Sequence, residues 1–182
     1  MSVDDYLVLP DDGVRYELID GVVVMSPSPA NSHQHVALEI ATQLRNFVMA
    51  ANLGVVLIEA DVVLSTTAGG RGTVYRPEMH FVRRERAINL AERTRIVPDV
   101  VLEVISPDSR GRDQTTKLRD YEAAGVGEYW LIDPIEDRVY FFRLRDGKFF
   151  EVASGSRYYQ SEVVPGFQLD LDKVRASFRA LG

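Results

Sequence analysis

A glutamate stands in the middle of Val100-Val101-Leu102-Glu103-Val104-Ile105, a run that otherwise reads as a strand buried on both faces. Removing an ionised carboxylate from water is costly unless a cation, a metal ion or a set of hydrogen bonds meets it, so the fold must supply Glu103 with a partner. Glu78, on the strand before, and Lys117, on the helix after, are the residues to which that search leads. Two acids and a lysine brought together have the makings of a metal-dependent phosphodiesterase site. The alternative is a buried Glu103–Lys117 ion pair with neither metal nor chemistry.

These residues need elements to position them. Ser2-x-x-Asp5 suits the start of a short helix, and residues 14–19 and 22–25 flank Asp20-Gly21, a dipeptide that favours a type I′ hairpin turn. Asn31 or Ser32 can cap a helix whose apolar positions Val36, Ile40, Leu44, Phe47 and Val48 recur at helical spacing and which should end near Gly54. Residues 55–64 read as one strand, 65–73 as a Gly-rich loop and 75–82 as a second strand, while 84–95 are polar, helical or irregular. Residues 99–105 form the most apolar strand and 106–112 a loop. Asp113 can cap a helix running to Ala124 and stopping at Gly125. Residues 128–132 make a further strand. Residues 139–144 and 148–152 form a terminal hairpin around Arg145-Asp146-Gly147, and 167–171 with a short helix finish the chain.

On the third strand Asp99, Val101, Glu103 and Ile105 share a face. Lys117, Tyr121 and Ala124 lie on adjacent turns of one helix face, so the lysine stem runs along an inward edge. Tyr121 could hydrogen-bond a carboxylate or a phosphate there, although core packing is its simpler role, as it is for Trp130. His80 shares a strand face with Glu78 and is a candidate extra ligand or proton carrier, with plain packing the alternative. Read as a pair, His33 and His35 cannot face one direction on a helix; His35 with Glu39 has usable ligand spacing but little else in its favour. Glu17, on a face with Arg15 and Ile19, is either half of a cross-strand ion pair or a further carboxylate at the edge of the site.

At 182 residues with 46% apolar content the chain fits one globular domain. Within it, residues 1–30 would be an N-terminal extension and hairpin, 31–134 the core, and 135–182 a C-terminal hairpin and tail. No apolar run is long enough to span a bilayer and the acidic start is unlike a secretory signal, which places the protein in the cytoplasm. The absence of cysteine excludes disulfides, thiolate zinc sites and cysteine nucleophiles, so a metal must be held by oxygen or imidazole. The net charge of −6 argues at first against a nucleic-acid partner. Six acids against Arg15 in residues 1–20, however, give −5 there and leave −1 for the rest. Arg83, Arg84, Arg86, Arg93 and Arg95 against Glu85 and Glu92 make a local +3 that could meet phosphates or could simply be a solvated face of ion pairs.

The order helix, strand, strand, strand, helix, strand, with acids on the second and third strands and a lysine on the next helix, resembles the PD-(D/E)XK nuclease superfamily. More narrowly it resembles a family of small proteins described as putative restriction endonucleases. The stretches that carry the likeness are Tyr16-Glu17-Leu18-Ile19-Asp20-Gly21, Arg76-Pro77-Glu78, Pro98-Asp99 through Ser106-Pro107, Asp113-x-x-x-Lys117-x-x-x-Tyr121, and Gly125-Val126-x-Glu128 through Asp133-Pro134. The resemblance implies an α/β fold of the mixed-sheet, α+β kind with a restriction-endonuclease-like core. It implies Mg²⁺ or Mn²⁺ bound by Glu78, Glu103 and the Val104 carbonyl, with Lys117 orienting the attacking hydroxide or stabilising charge on the phosphoryl group. Glu78 departs from the pattern, which has aspartate after the proline, and Ile105 stands where the commonest pattern has lysine. The function implied is a metal-dependent endonuclease acting on DNA. The alternative is a catalytically silent module that keeps the fold and binds nucleic acid or a protein. Cutting both strands of a duplex would suit a symmetric homodimer, for which the rings Tyr140, Phe141, Phe142, Phe149 and Phe150 are candidates.

Overall fold

The structure, a computed structural model, describes residues 1–10, 12–26, 29–66, 71–87, 90, 95–107 and 110–180. Parts of the Gly-rich loop at 65–73, of the polar segment at 84–95 and of the loop at 106–112 therefore lie outside the described residues, among them Glu92 and Arg93 of the basic segment.

Ser2 and Asp5 form a capping box that starts helix α1 (Val3–Leu7), each accepting a hydrogen bond from the other's backbone N–H. Strands β1 (Arg15–Ile19) and β2 (Val22–Ser26) then form a hairpin. Its turn residues Asp20 and Gly21 both have positive φ, 48° and 79°, as a type I′ turn requires. Helix α2 (Asn31–Ala50) begins at Asn31 itself, with Ala30 as an N-cap lacking a side-chain bond, so neither Asn31 nor Ser32 caps it.

The two long strands expected at 55–64 and 75–82 are each bent into two. Residues 54–66 divide into β3 (Gly54–Ile58) and β4 (Val62–Thr66). Between them Glu59 takes the left-handed conformation, φ 46°, which breaks the extended run. Residues 72–83 divide into β5 (Gly72–Tyr75) and β6 (Met79–Arg83) at Pro77, which has no N–H for a ladder. Apolar composition shows none of this, because both halves of each run are equally strand-like. The bends send β4 and β5 into a four-stranded sheet with the opening hairpin, ordered β2-β1-β5-β4. Strands β3 and β6 join a six-stranded sheet with β7 (Val100–Val104), β8 (Glu128–Asp133), β9 (Arg138–Arg145) and β10 (Lys148–Val152), ordered β10-β9-β8-β7-β6-β3. Its sole parallel pair among the described residues is β7 with β8; the helical segment between them makes the crossover.

That segment is not the helix the sequence suggests. Helical backbone begins at Arg110, ahead of Asp113, so Asp113 is an interior residue and not a cap. Arg112–Lys117 is π-helical, and only Leu118–Ala124 is α-helical (α3), ending at Gly125 with φ 86°. Strands β11 (Tyr158–Gln160) and β12 (Gln168–Asp170) pair with each other, and helix α4 (Leu171–Arg179) follows.

Core residues fall on both faces of the large sheet. On one, α2 sets Val36, Ile40, Leu44 and Val48 against Met79, Phe81, Val100, Leu102, Val104 and Trp130. On the other, Val101, Ile105, Tyr129 and Leu131 meet Tyr75 and Tyr121. The rings of the terminal hairpin are largely used inside the fold: Phe141 is in the first core, and Tyr140, Phe142 and Phe149 pack against the second. Among the described residues no helix is long and apolar enough to cross a membrane.

Candidate functional site

The edge where β7 ends and β6 begins collects the candidate residues from several elements. Strand periodicity turns Glu103 away from α2 and toward the second core, where the π-helical segment and α3 pack. There the Lys117 ammonium donates to Glu103 Oε1 at 2.8 Å, and the Tyr121 hydroxyl donates to the same oxygen at 2.9 Å. The ammonium also lies 2.9 Å from Glu17 Oε1, brought by β1 of the smaller sheet, and 3.7 Å from Asp113 Oδ1 one turn earlier. It stands 5.1 Å from the centroid of the Tyr75 ring. Glu17 accepts further from the Arg76 backbone N–H at 3.2 Å and from Arg112 at 3.3 Å.

Among the described residues, acids outnumber the buried cation in this group. Three carboxylates, Glu17, Glu103 and Asp113, surround one buried ammonium, with the half-exposed Arg112 at the rim. Burial works to raise Glu17, but Lys117 and Arg112 overcome it and keep that carboxylate ionised. For Glu103 burial wins: with Asp113 and Glu17 nearby, its carboxyl is pushed up to about 8 despite Lys117. Burial would lower Lys117, but its carboxylate neighbours raise it above an ordinary lysine. The ammonium therefore stays charged at neutral pH while Glu103 holds a proton.

Glu78 lies just before β6, 8% exposed. Its Oε1 is 3.7 Å from an Arg15 guanidinium nitrogen and 3.8 Å from His33 Nε2, while Oε2 is buried with no hydrogen-bond partner. Burial raises its pKa against the pull of His33 and Arg15. The β6–β7 ladder ends at Met79 opposite Leu102, and Pro77 has no N–H to extend it. The Val104 carbonyl is met instead by His33 Nε2, at 2.7 Å. A carbonyl can only accept, so this imidazole nitrogen carries the hydrogen.

The structure thus joins Glu17, Glu103, Lys117 and Tyr121 directly and sets Glu78 and Val104 on the same edge, linked through His33. His80 is fully buried within β6, where burial lowers its imidazole to about 4 and keeps it neutral. Spacing arguments on the sequence pass over His33, Arg15, Arg112 and Asp113. A signal for His33 exists: it falls three residues before Val36 and seven before Ile40, on the buried stripe of α2, where a polar residue needs a reason.

Among the described residues no three His, Asp or Glu side chains are gathered to hold a metal ion as they stand. The donor set nonetheless suits a hard or borderline divalent cation. It consists of carboxylates, a carbonyl and an imidazole, and among the described residues its Glu78 Oε2 is buried without a hydrogen-bond partner.

Three arginines of the basic segment are held in ion pairs. Arg83 and Arg86 bind Asp99 at 2.7 and 2.9 Å, and Arg95 meets Asp4 at 2.9 Å.

Comparison with known proteins agrees with this architecture. A crystal structure of a putative nuclease belonging to DUF820 from Anabaena variabilis superimposes with a TM-score of 0.79, covering 98% of this chain and 99% of that one at 20% identity. Its likeness establishes the fold: a mixed α and β restriction-endonuclease-like architecture. No curated protein sequence matches. Residues 3–172 match the family Uma2, described as putative restriction endonuclease, and the chain belongs to that family.

Proposed function

We propose that this edge binds a divalent cation, Mg²⁺ or Mn²⁺, and hydrolyses phosphodiester bonds in DNA. The observation that carries the reading is the surplus of buried acid: Glu103 retains its proton and Glu78 Oε2 lacks a partner, a state that a divalent cation would relieve. Glu78, Glu103 and the Val104 carbonyl are the groups that would hold it. When bound, such an ion supplies charge stabilisation to a phosphate oxygen and acidifies a water molecule.

The chain's own residues divide the remaining work. Lys117 is held protonated, so it serves as a fixed positive charge and hydrogen-bond donor toward the attacking hydroxide or the phosphoryl oxygens, and not as a general base. Glu17 and Tyr121 position it and its carboxylate partner. Arg112 and Arg15, partly exposed at the rim, can exchange a carboxylate for a phosphate oxygen and so draw the backbone of the nucleic acid inward.

Calorimetric titration of Mn²⁺ into the wild type and Glu103→Ala tests the reading before any substrate sequence is known. Saturable binding that disappears in the variant, followed by metal-dependent nicking of supercoiled DNA, is the expected result. Absence of binding with and without DNA would refute it. A second reading, a silent module of the same fold, draws on the ammonium already locked between Glu17 and Glu103. Glu78→Asp separates the two. It keeps or raises cleavage in a nuclease with a relaxed site, and changes nothing in a protein that only binds.

A further inference from the structure

We propose that His33 is a ligand of the divalent cation, and that its imidazole makes the site prefer a borderline transition ion such as Mn²⁺ to Mg²⁺ or Ca²⁺. This rests on the metal-dependent reading above and extends its ligand set beyond the two acids and the carbonyl.

His33 opens α2 on the stripe that packs against the large sheet, and it is 8% exposed. Its Nε2 lies 2.7 Å from the Val104 carbonyl oxygen and 3.8 Å from Glu78 Oε1. Adjacent ligands of a six-coordinate ion with bonds of about 2.1 Å stand about 3 Å apart, a spacing that those two separations bracket. The imidazole nitrogen is therefore already spaced as a neighbour of both oxygens.

Chemistry supports the same assignment. The hydrogen on Nε2 now satisfies the Val104 carbonyl, which the sheet leaves unpaired. Ligation through Nε2 moves that hydrogen to Nδ1, which is buried and has no hydrogen-bond partner to fix the tautomer. The ion would then satisfy the carbonyl and the imidazole together. Glu78 Oε2, also without a partner, lies on the same carboxylate and is available to the same ion. Oxygen ligands alone suit Mg²⁺ and Ca²⁺, whereas an imidazole shifts affinity toward the first-row transition ions. The longer reach of glutamate at position 78 fits a shell that includes the bulkier imidazole.

The test compares the wild-type protein with His33→Gln, whose side-chain amide can still donate to the Val104 carbonyl but brings no imidazole. Pulsed electron paramagnetic resonance on the Mn²⁺-loaded protein, made with ¹⁵N-labelled histidine, reads the ligand directly. We expect a histidine nitrogen coupling in the wild type and none in His33→Gln. By calorimetry the variant should lose tenfold or more in Mn²⁺ affinity, on the order seen when metal-site residues are replaced, and less than about threefold in Mg²⁺ affinity. Circular dichroism should show an intact fold. Mn²⁺ binding without nitrogen coupling, or coupling that persists in His33→Gln, would overturn the role of His33 while leaving the metal-dependent reading standing. No binding of either ion to the wild type, with or without duplex DNA, would overturn both.

Discussion

The two ends of strand β7 each carry buried carboxylates, and they are built on opposite principles. At its start Asp99 accepts from the Arg83 backbone and side chain and from Arg86, at 2.7 to 2.9 Å. Beside it, at the start of β8, Glu128 is wholly buried and accepts from Trp130 Nε1, Ser161 Oγ and the backbones of Glu162 and Val163, with Arg143 3.5 Å away. At the far end of β7, Glu103 shares one ammonium with Glu17 and Asp113, and Glu78 has a buried oxygen with no partner. Saturated acids hold the fold together, whereas Glu103 and Glu78 are the acids that the proposed cation would meet.

The sharpest way to break this contrast is at Glu128. Glu128→Ala strands four donors and Arg143, and should cost about 3–5 kcal/mol, lowering Tm by on the order of 10 °C, with Mn²⁺ affinity of the remaining folded protein unchanged. Lys117→Met comes next. Stability should fall by about 3 kcal/mol as Glu17 and Glu103 lose their ammonium, and DNA cleavage should vanish. Adding Glu17→Gln to that variant should restore most of the loss, because Glu17 is the ionised carboxylate left without its ammonium, and a double-mutant cycle by urea denaturation would measure it.

Glu103→Gln alone should leave stability within about 1 kcal/mol of wild type while abolishing metal binding, since the amide resembles the protonated carboxyl already present. A large loss of stability there would place Glu103 with the saturated acids and remove the distinction between the two ends. The same contrast shows in pH dependence. Native Glu103 titrates near 8, against 4.5 for an ordinary glutamate, so the folded protein binds more protons between those values. Its contribution is fully present below pH 4.5 and is lost as pH rises through 8. Denaturation at pH 5.5 and 8.5 should show the wild type losing more stability than Glu103→Gln over that interval.

Much of this contrast could be read in the sequence on one side only. A glutamate inside an apolar strand announces itself, and helical period alone sets Lys117 and Tyr121 on a common face, so Glu103 and both donors to its Oε1 follow from local pattern. The hairpin at Asp20-Gly21 and the helix stop at Gly125 follow from backbone preference in the same way. The bends at Glu59 and Pro77 do not, because they depend on which sheet each half-strand joins, a matter of tertiary pairing. His33 escaped for a related reason. Its partners, Val104 and Glu78, are 71 and 45 positions away, and no local period encodes a contact across that distance.

The π-helical turn at Arg112–Lys117 has a consequence for how such a site can diverge. It holds surplus length relative to an α-helix, commonly the trace of an inserted residue. Deleting one residue between Asp113 and Lys117 would let the turn relax to α-helix, and because the wider turn had absorbed that residue, Arg112 and Asp113 would keep nearly the same facing. Lys117 and Tyr121, downstream of the change, would stay seated on Glu103. The segment works as a slack joint, in which descendants of this chain can lose a residue in a single genetic step and still keep an arginine and an acid around the same lysine.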